Sequence, residues 1–272
     1  MFLQGKTALI TGSTSGIGLG YARALAAEGA NVMINGFGDA DAIQGYVAEL
    51  AAASGGKALH SGADMMKPDE IRAMVAECSE KLGSPDILIN NAGISMRALF
   101  QDLDLEVFRK VMDTNFWGTV YATKYCLPAI LAAKGSIIGI SSINGYRGTP
   151  ARTAYTASKY AMNGFFESLR TEVMKKGVHV LVVAPGFTSS NIRNTALTAD
   201  GSSQGESPRD ESKMMSSEEV ATHILQATSK RKRDLVLTTQ GKLAVFLNKW
   251  IPGILDGIVY KQMAKEKDSP FQ

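Results

Sequence analysis

Tyr155-Thr156-Ala157-Ser158-Lys159 sets a phenol and an ammonium four residues apart in a stretch of helical composition. That spacing puts both side chains on one helix face, one turn apart. A phenol with a pKa of roughly 10 is a poor base at neutral pH. A neighbouring cation favours the phenolate, and so brings the group towards a range where it can take or give a proton. Ser142 stands thirteen residues earlier, where an apolar run ends. Its hydroxyl could polarise a substrate oxygen. A Tyr-x-x-x-Lys alone is common on surfaces; the serine and the turn described next are what give it weight.

That turn is Thr11-Gly12-Ser13-Thr14-Ser15-Gly16-Ile17-Gly18, between a first apolar run and a first helical pattern. Gly12 allows a tight turn, Gly16 lets backbone approach a pyrophosphate, and Gly18 lets the helix pack close to the strand. The helix N-terminus then presents free N–H groups and a positive dipole end to phosphates. The pattern predicts a dinucleotide site. The next strand ends Asn35-Gly36-Phe37-Gly38, followed by Asp39, and no Arg or Lys stands in 31–41. A ribose 2′-phosphate lacks a counter-charge there, so NAD is favoured over NADP, although the usual ribose-binding carboxylate is absent at Gly36.

These groups need a scaffold that gathers strand ends. Apolar runs at 6–11, 30–35, 58–63, 87–90, 136–141, 178–184 and 234–239 alternate with helical patterns. The helical stretches are 16–28, 40–53, 68–82, 105–134, 153–176 and 217–229. Pro128 is expected to bend or end part of 105–134, and Ser217 to cap 217–229. Such alternation predicts an α/β fold: a doubly wound parallel sheet of about seven strands, of Rossmann type, with helices on both faces. Ligands of such sheets bind outside the carboxyl ends of the strands. We draw no domain boundary within 1–272.

With these residues in hand, the chain resembles the short-chain dehydrogenase/reductase family. The likeness is carried by Thr11-Gly12-x-x-x-Gly16-Ile17-Gly18, Asp64, Asn90-Asn91-Ala92-Gly93, Asn115, Ser142, Tyr155-x-x-x-Lys159 and Pro185-Gly186. The resemblance implies that Ala63, Asp64 and Met65 lie by the adenine, with Gly36 and Phe37 near the ribose. It implies that Asn91, Ala92 and Gly93 line the cofactor and that Pro185, Gly186, Thr188 and Ser190 lie by the nicotinamide. By the same likeness Ser142 orients the substrate, Tyr155 is the acid/base, Lys159 binds the ribose, and Asn115 holds a water in a proton relay. Up to about Ile94 the chain resembles bacterial 3-hydroxybutyrate dehydrogenases; from Ser95 it resembles the branch with 11β-hydroxysteroid dehydrogenases. A mosaic origin is therefore left open. The acid-binding positions of the first branch fall on Ser95, Asn144 and Arg152, so both a lipophilic ketone and a small hydroxy acid stay open as substrate. A homodimer or homotetramer is implied, and a binding sensor with little turnover is the alternative.

With 272 residues, 29 Lys+Arg and 26 Asp+Glu, the composition is that of an ordinary globular protein. Nucleic acid is excluded as a partner, since the basic run 230–233 has no aromatic platform beside it. Cys78 and Cys126 read as reduced packing residues, and no metal site is expected. With no signal peptide and no spanning run of about 18 apolar residues, a cytoplasmic protein is expected. Residues 188–217 are polar, with few apolar groups (Ile192, Ala196, Leu197, Ala199, Met214, Met215), and are expected to form a substrate lid. The apolar tail, 242–263, reads as two short helices broken near Pro252. It would pack on the pocket, on a partner subunit or on a membrane surface.

Overall fold

The computed structural model describes residues 2–188, 192–205, 207, 214–266, 269 and 271. Seven strands form one parallel sheet: β1 (Thr7–Ile10), β2 (Asn31–Asn35), β3 (Ala58–Ser61), β4 (Ile87–Asn90), β5 (Ser136–Ile140), β6 (His179–Ala184) and β7 (Asp234–Val236). Their order across the sheet is β3-β2-β1-β4-β5-β6-β7. The chain thus winds one way from β1 and the other way from β4. The crevice at the carboxyl ends opens between those two strands, the position where such sheets hold ligands.

Because crossover helices cover both faces, central strands are apolar on both sides, and β1, β4, β5 and β6 are buried throughout. Ile10, Ile34, Ile89 and Leu181 face α1 (Gly16–Ala27) and α7 (Ser217–Ser229). Leu9, Met33, Leu88 and Ile137 face α3 (Pro68–Lys81), α5 (Gly118–Ala133) and α6 (Thr153–Val173). The remaining helices are α2 (Ala40–Ser54), α4 (Leu105–Met112), α8 (Thr239–Trp250) and α9 (Pro252–Ala264).

Helix ends follow local chemistry. Asp39 caps α2 by accepting from Ala42 N at 2.9 Å, and Gly55 ends it in the left-handed region. Two expectations are corrected. Ser216, not Ser217, caps α7: its hydroxyl accepts from Glu219 N, and the Glu219 carboxylate accepts from Ser216 N, a reciprocal box. Pro128 does not end part of the stretch 105–134 but sits inside α5; the break falls at Asp113–Trp117, which winds as a π-turn between α4 and α5.

α6 is set on the sheet by Phe166, whose ring fills the space left by the missing side chain of Gly139 in β5. A Cβ at 139 would overlap the ring. We predict that Phe166→Ala destabilises the protein by about 3–5 kcal/mol, as deletion of a fully buried aromatic does. Urea unfolding followed by circular dichroism checks this.

Candidate active site

The glycine turn is built as its spacing requires. Gly12 and Gly16 have φ of +60° and +54°, where only glycine is unstrained. A Cβ on Gly12 would lie 2.6 Å from Ala92 Cα, and one on Gly18 would lie 2.5 Å from Gly12 O. A belt of buried polar groups ties this turn to β2 and β4. Thr11 Oγ1 accepts from Asn91 N and Ala92 N, both at 3.0 Å. Asn91 Nδ2 donates to Thr11 O and Gly12 O. Gly12 N donates to Asn35 Oδ1 at 3.2 Å, and Asn35 Nδ2 reaches Ser61 O and Ala63 O. Asn35 escaped the sequence reading. A lone Asn closing an apolar strand was the available signal.

A cavity of about 740 Å³ opens over the strand ends. At one end it is lined by Gly12, Thr14, Ser15, Gly16, Ile17, Gly36, Phe37, Ala63, Asp64 and Met65. Asn91, Ala92, Gly93, Ser142, Tyr155, Lys159, Pro185, Gly186 and Thr188 line the middle, and Ser95, Asn144 and Arg152 line the far wall. Three expected residues stand outside it. Ser13 is fully buried; its hydroxyl donates to Ile10 O at 2.7 Å and accepts from Asn35 N. Gly18 is covered by Asn91 and the turn. The Asn115 side chain accepts from Ile94 N at 2.8 Å and donates to Ile94 O and Ser158 Oγ. These bonds tie its amide to the segment after β4 and to α6, and it is not among the residues that line the cavity. Ser190 lies outside the described residues.

The residues present fit a dinucleotide. The glycines leave cradles that a Cβ would fill, and α1 begins without a side-chain cap on its N–H groups. Among the described residues, no Lys or Arg lines the β2–β3 end; the basic lining groups are Lys110, Arg152, Lys159 and Arg193. Asp39 is engaged as the α2 cap.

Ser142 follows β5 in extended conformation and accepts from Asn144 N at 3.2 Å. Its side chain lines the same cavity as the Tyr155 phenol. Burial raises the phenol pKa, while Ser142 and the charges of Arg152 and Arg193 pull it back. The expected lowering by Lys159 is absent from this balance. Its Nζ lies 5.7 Å from the Tyr155 ring centroid and donates to Ile140 O at 2.8 Å. Burial pushes Lys159 itself down to about 8, towards neutrality. Gly93 keeps the far side open: a Cβ there would come within 3.2 Å of Asn115 Oδ1 and 3.5 Å of Lys159 Nζ.

The far wall is assembled from loops. Arg152 donates to Ser95 Oγ at 2.9 Å and Met96 O at 3.0 Å. Leu197 bridges to Met96, with Arg97 N donating to Leu197 O and Leu197 N to Ser95 O. Arg193, which sequence reading missed for want of any motif, is buried and donates to Thr188 O at 2.7 Å. The described part of the expected lid is thus pinned to the rim. Met263 and Glu266, at and just after the end of α9, also line the cavity, and Glu266 pairs with buried Arg97 at 3.6 Å.

Comparison with known proteins matches residues 6–200 to the short chain dehydrogenase family. The chain is 36% identical over 98% of its length to dehydrogenase/reductase SDR family member 7B of Mus musculus, covering 84% of that protein. It is 32% identical over 89% of its length to D-beta-hydroxybutyrate dehydrogenase of Rhizobium meliloti, covering 91%. The same enzyme of Cupriavidus necator is 38% identical over 75% of the chain, covering 78%. Relatives of both kinds thus align across most of the chain.

The buried ammonium has a consequence for stability. From pH 8 to its ordinary 10.5, Lys159 has released its proton in the folded chain while the unfolded chain still binds it, so folding gains as pH rises. We predict that wild type gains on Lys159→Met over this window, with a slope of at most about 1.4 kcal/mol per pH unit. Urea unfolding of both proteins at several pH values reads the difference.

Proposed function

The chain belongs to the short-chain dehydrogenase family and is an oxidoreductase acting on CH–OH groups, and on that premise we propose that it interconverts a secondary alcohol and a ketone with NAD at a Ser142–Tyr155–Lys159 centre. The observation that carries the reading is the meeting of these three side chains on one wall of a cavity that begins at the glycine turn. A bound nicotinamide supplies the hydride acceptor or donor. The rest falls to the chain's own residues.

Tyr155 takes the hydroxyl proton in oxidation and returns it to the carbonyl oxygen in reduction. Ser142 holds the same oxygen through its hydroxyl. Lys159 holds the ribose. Its pKa near the working range lets it pass a proton onward. Asn115 acts as a positioning residue, fixing Ile94 and Ser158 around Lys159. Gly12, Gly16, Ile17 and Asp64 hold the dinucleotide, and Ser95, Asn144 and Arg152 contact the substrate. The absence of a basic group among the described residues at the β2–β3 end supports NAD over NADP.

Two outcomes are expected. Tyr155→Phe keeps dinucleotide binding, measured by calorimetry, while turnover of a ketone panel with NADH falls about a thousandfold or more; full turnover would refute the role, and tight binding without turnover in wild type would favour the sensor. Phe37→Arg, placing a cation at the exposed end of β2, raises kcat/KM with NADPH relative to NADH about tenfold.

A further inference from the structure

α8 and α9 bury little of themselves: only Gly241 in the first, and Leu255 and Met263 in the second. Their outward residues are unusually large and apolar. Leu243, Phe246 and Trp250 recur at i, i+3 and i+7 on α8, with Phe246 60% and Trp250 73% exposed. Ile251, at the junction before α9, and Ile254 and Ile258 within it repeat the spacing, and all three are exposed. The α8 set is one helical stripe, and Ile254 and Ile258 lie one turn apart on α9. Single exposed apolar residues need no account, but six along two consecutive helices and their junction mark an interaction surface.

Charge identifies the partner. Exposed Lys242, Lys249, Lys261 and Lys265 flank these residues. The one acid in the same stretch, Asp256, is bonded to Arg147 at 2.6 Å. A protein–protein interface core is depleted in lysine, whereas helices lying in a lipid headgroup layer combine Trp, Phe and Leu with flanking Lys. We propose that α8 and α9 dock on an anionic lipid surface, with the six apolar residues at the acyl boundary and the four lysines on lipid phosphates. In the basic run 230–233 two charges are engaged elsewhere: Arg231 is held by Gly177 O and Arg233 by Glu167 and Asp234. Met263 and Glu266 place the rim of the cavity at the end of α9, so docking brings that rim to the lipid. The docking itself does not rest on the enzymatic reading.

The test floats the full chain with vesicles of phosphatidylcholine, with and without about 30 mol% phosphatidylserine. Flotation with the anionic vesicles, weakened by salt, is expected. In a Trp117→Phe background the emission of Trp250 shifts to the blue on binding. Phe246→Glu with Ile254→Glu, both at exposed positions, lowers the bound fraction about tenfold without moving the unfolding midpoint. Absence of flotation, or equal binding by the double variant, overturns the proposal. A drop in oligomeric state of that variant by light scattering does so as well, since it would assign the face to a second copy of the chain.

Discussion

One buried ammonium sets the geometry of this site. Lys159 sits in the first half of α6, yet its Nζ reaches across to Ile140 O at the end of β5 and passes beside Gly93 at the end of β4. Among the described residues no carboxylate compensates it, so its burial costs stability and lowers its own pKa. That cost is offset by what holds α6 down: Phe166 seated on Gly139, with Met162 and Leu169 in the same core. Core packing therefore places this cation, and any loosening of α6 moves Tyr155 with it, since both project from one face of that helix.

The opposite half of the cavity is held by a different force. The glycine turn has little apolar surface to pack, so hydrogen bonds fix it: Thr11, Asn35 and Asn91 each satisfy backbone groups of a neighbouring strand. Buried polar groups of this kind are worth most when every partner is made, and they specify one arrangement. Ser13 belongs to this lacing, which explains why a hydroxyl stands there without facing a ligand. The turn is thus rigid before anything binds, and its N–H groups need not be reorganised to receive a phosphate.

Strands and helices were legible in the sequence because the pattern was strong: Ala8–Ile10 and Val180–Ala184 are unbroken apolar runs, and Gly55 and Gly83 close helices where left-handed backbone is needed. The intervals between Ser142, Tyr155 and Lys159, and those within the glycine turn, stand in the sequence itself. What escaped was whatever depended on contacts between distant segments. The π-turn at Asp113–Trp117 leaves no mark in composition, since helical propensity runs straight through it. The bonds of the Asn115 amide to Ile94 and Ser158 join segments 21 and 43 residues away. Arg193 and Glu266 carry no motif; tertiary folding alone brings them to the cavity.

The two halves of the cavity differ in how they are made, and this bears on what each can tolerate. The end at the glycine turn is formed by strand ends and a helix start, which cannot shift without disturbing the sheet. The far wall is formed by segments that follow strands and helices: 95–98, 144–152, 193–197 and 263–266. Among the links that join them are the Met96–Leu197 bridge, the Ala98–Ala151 backbone bond, the Arg152–Ser95 bond and the Arg97–Glu266 pair. A wall built from loops tolerates changes of sequence and shape that the end of a sheet does not. A constant end beside a variable one suits a site in which one ligand keeps the same shape while the other differs.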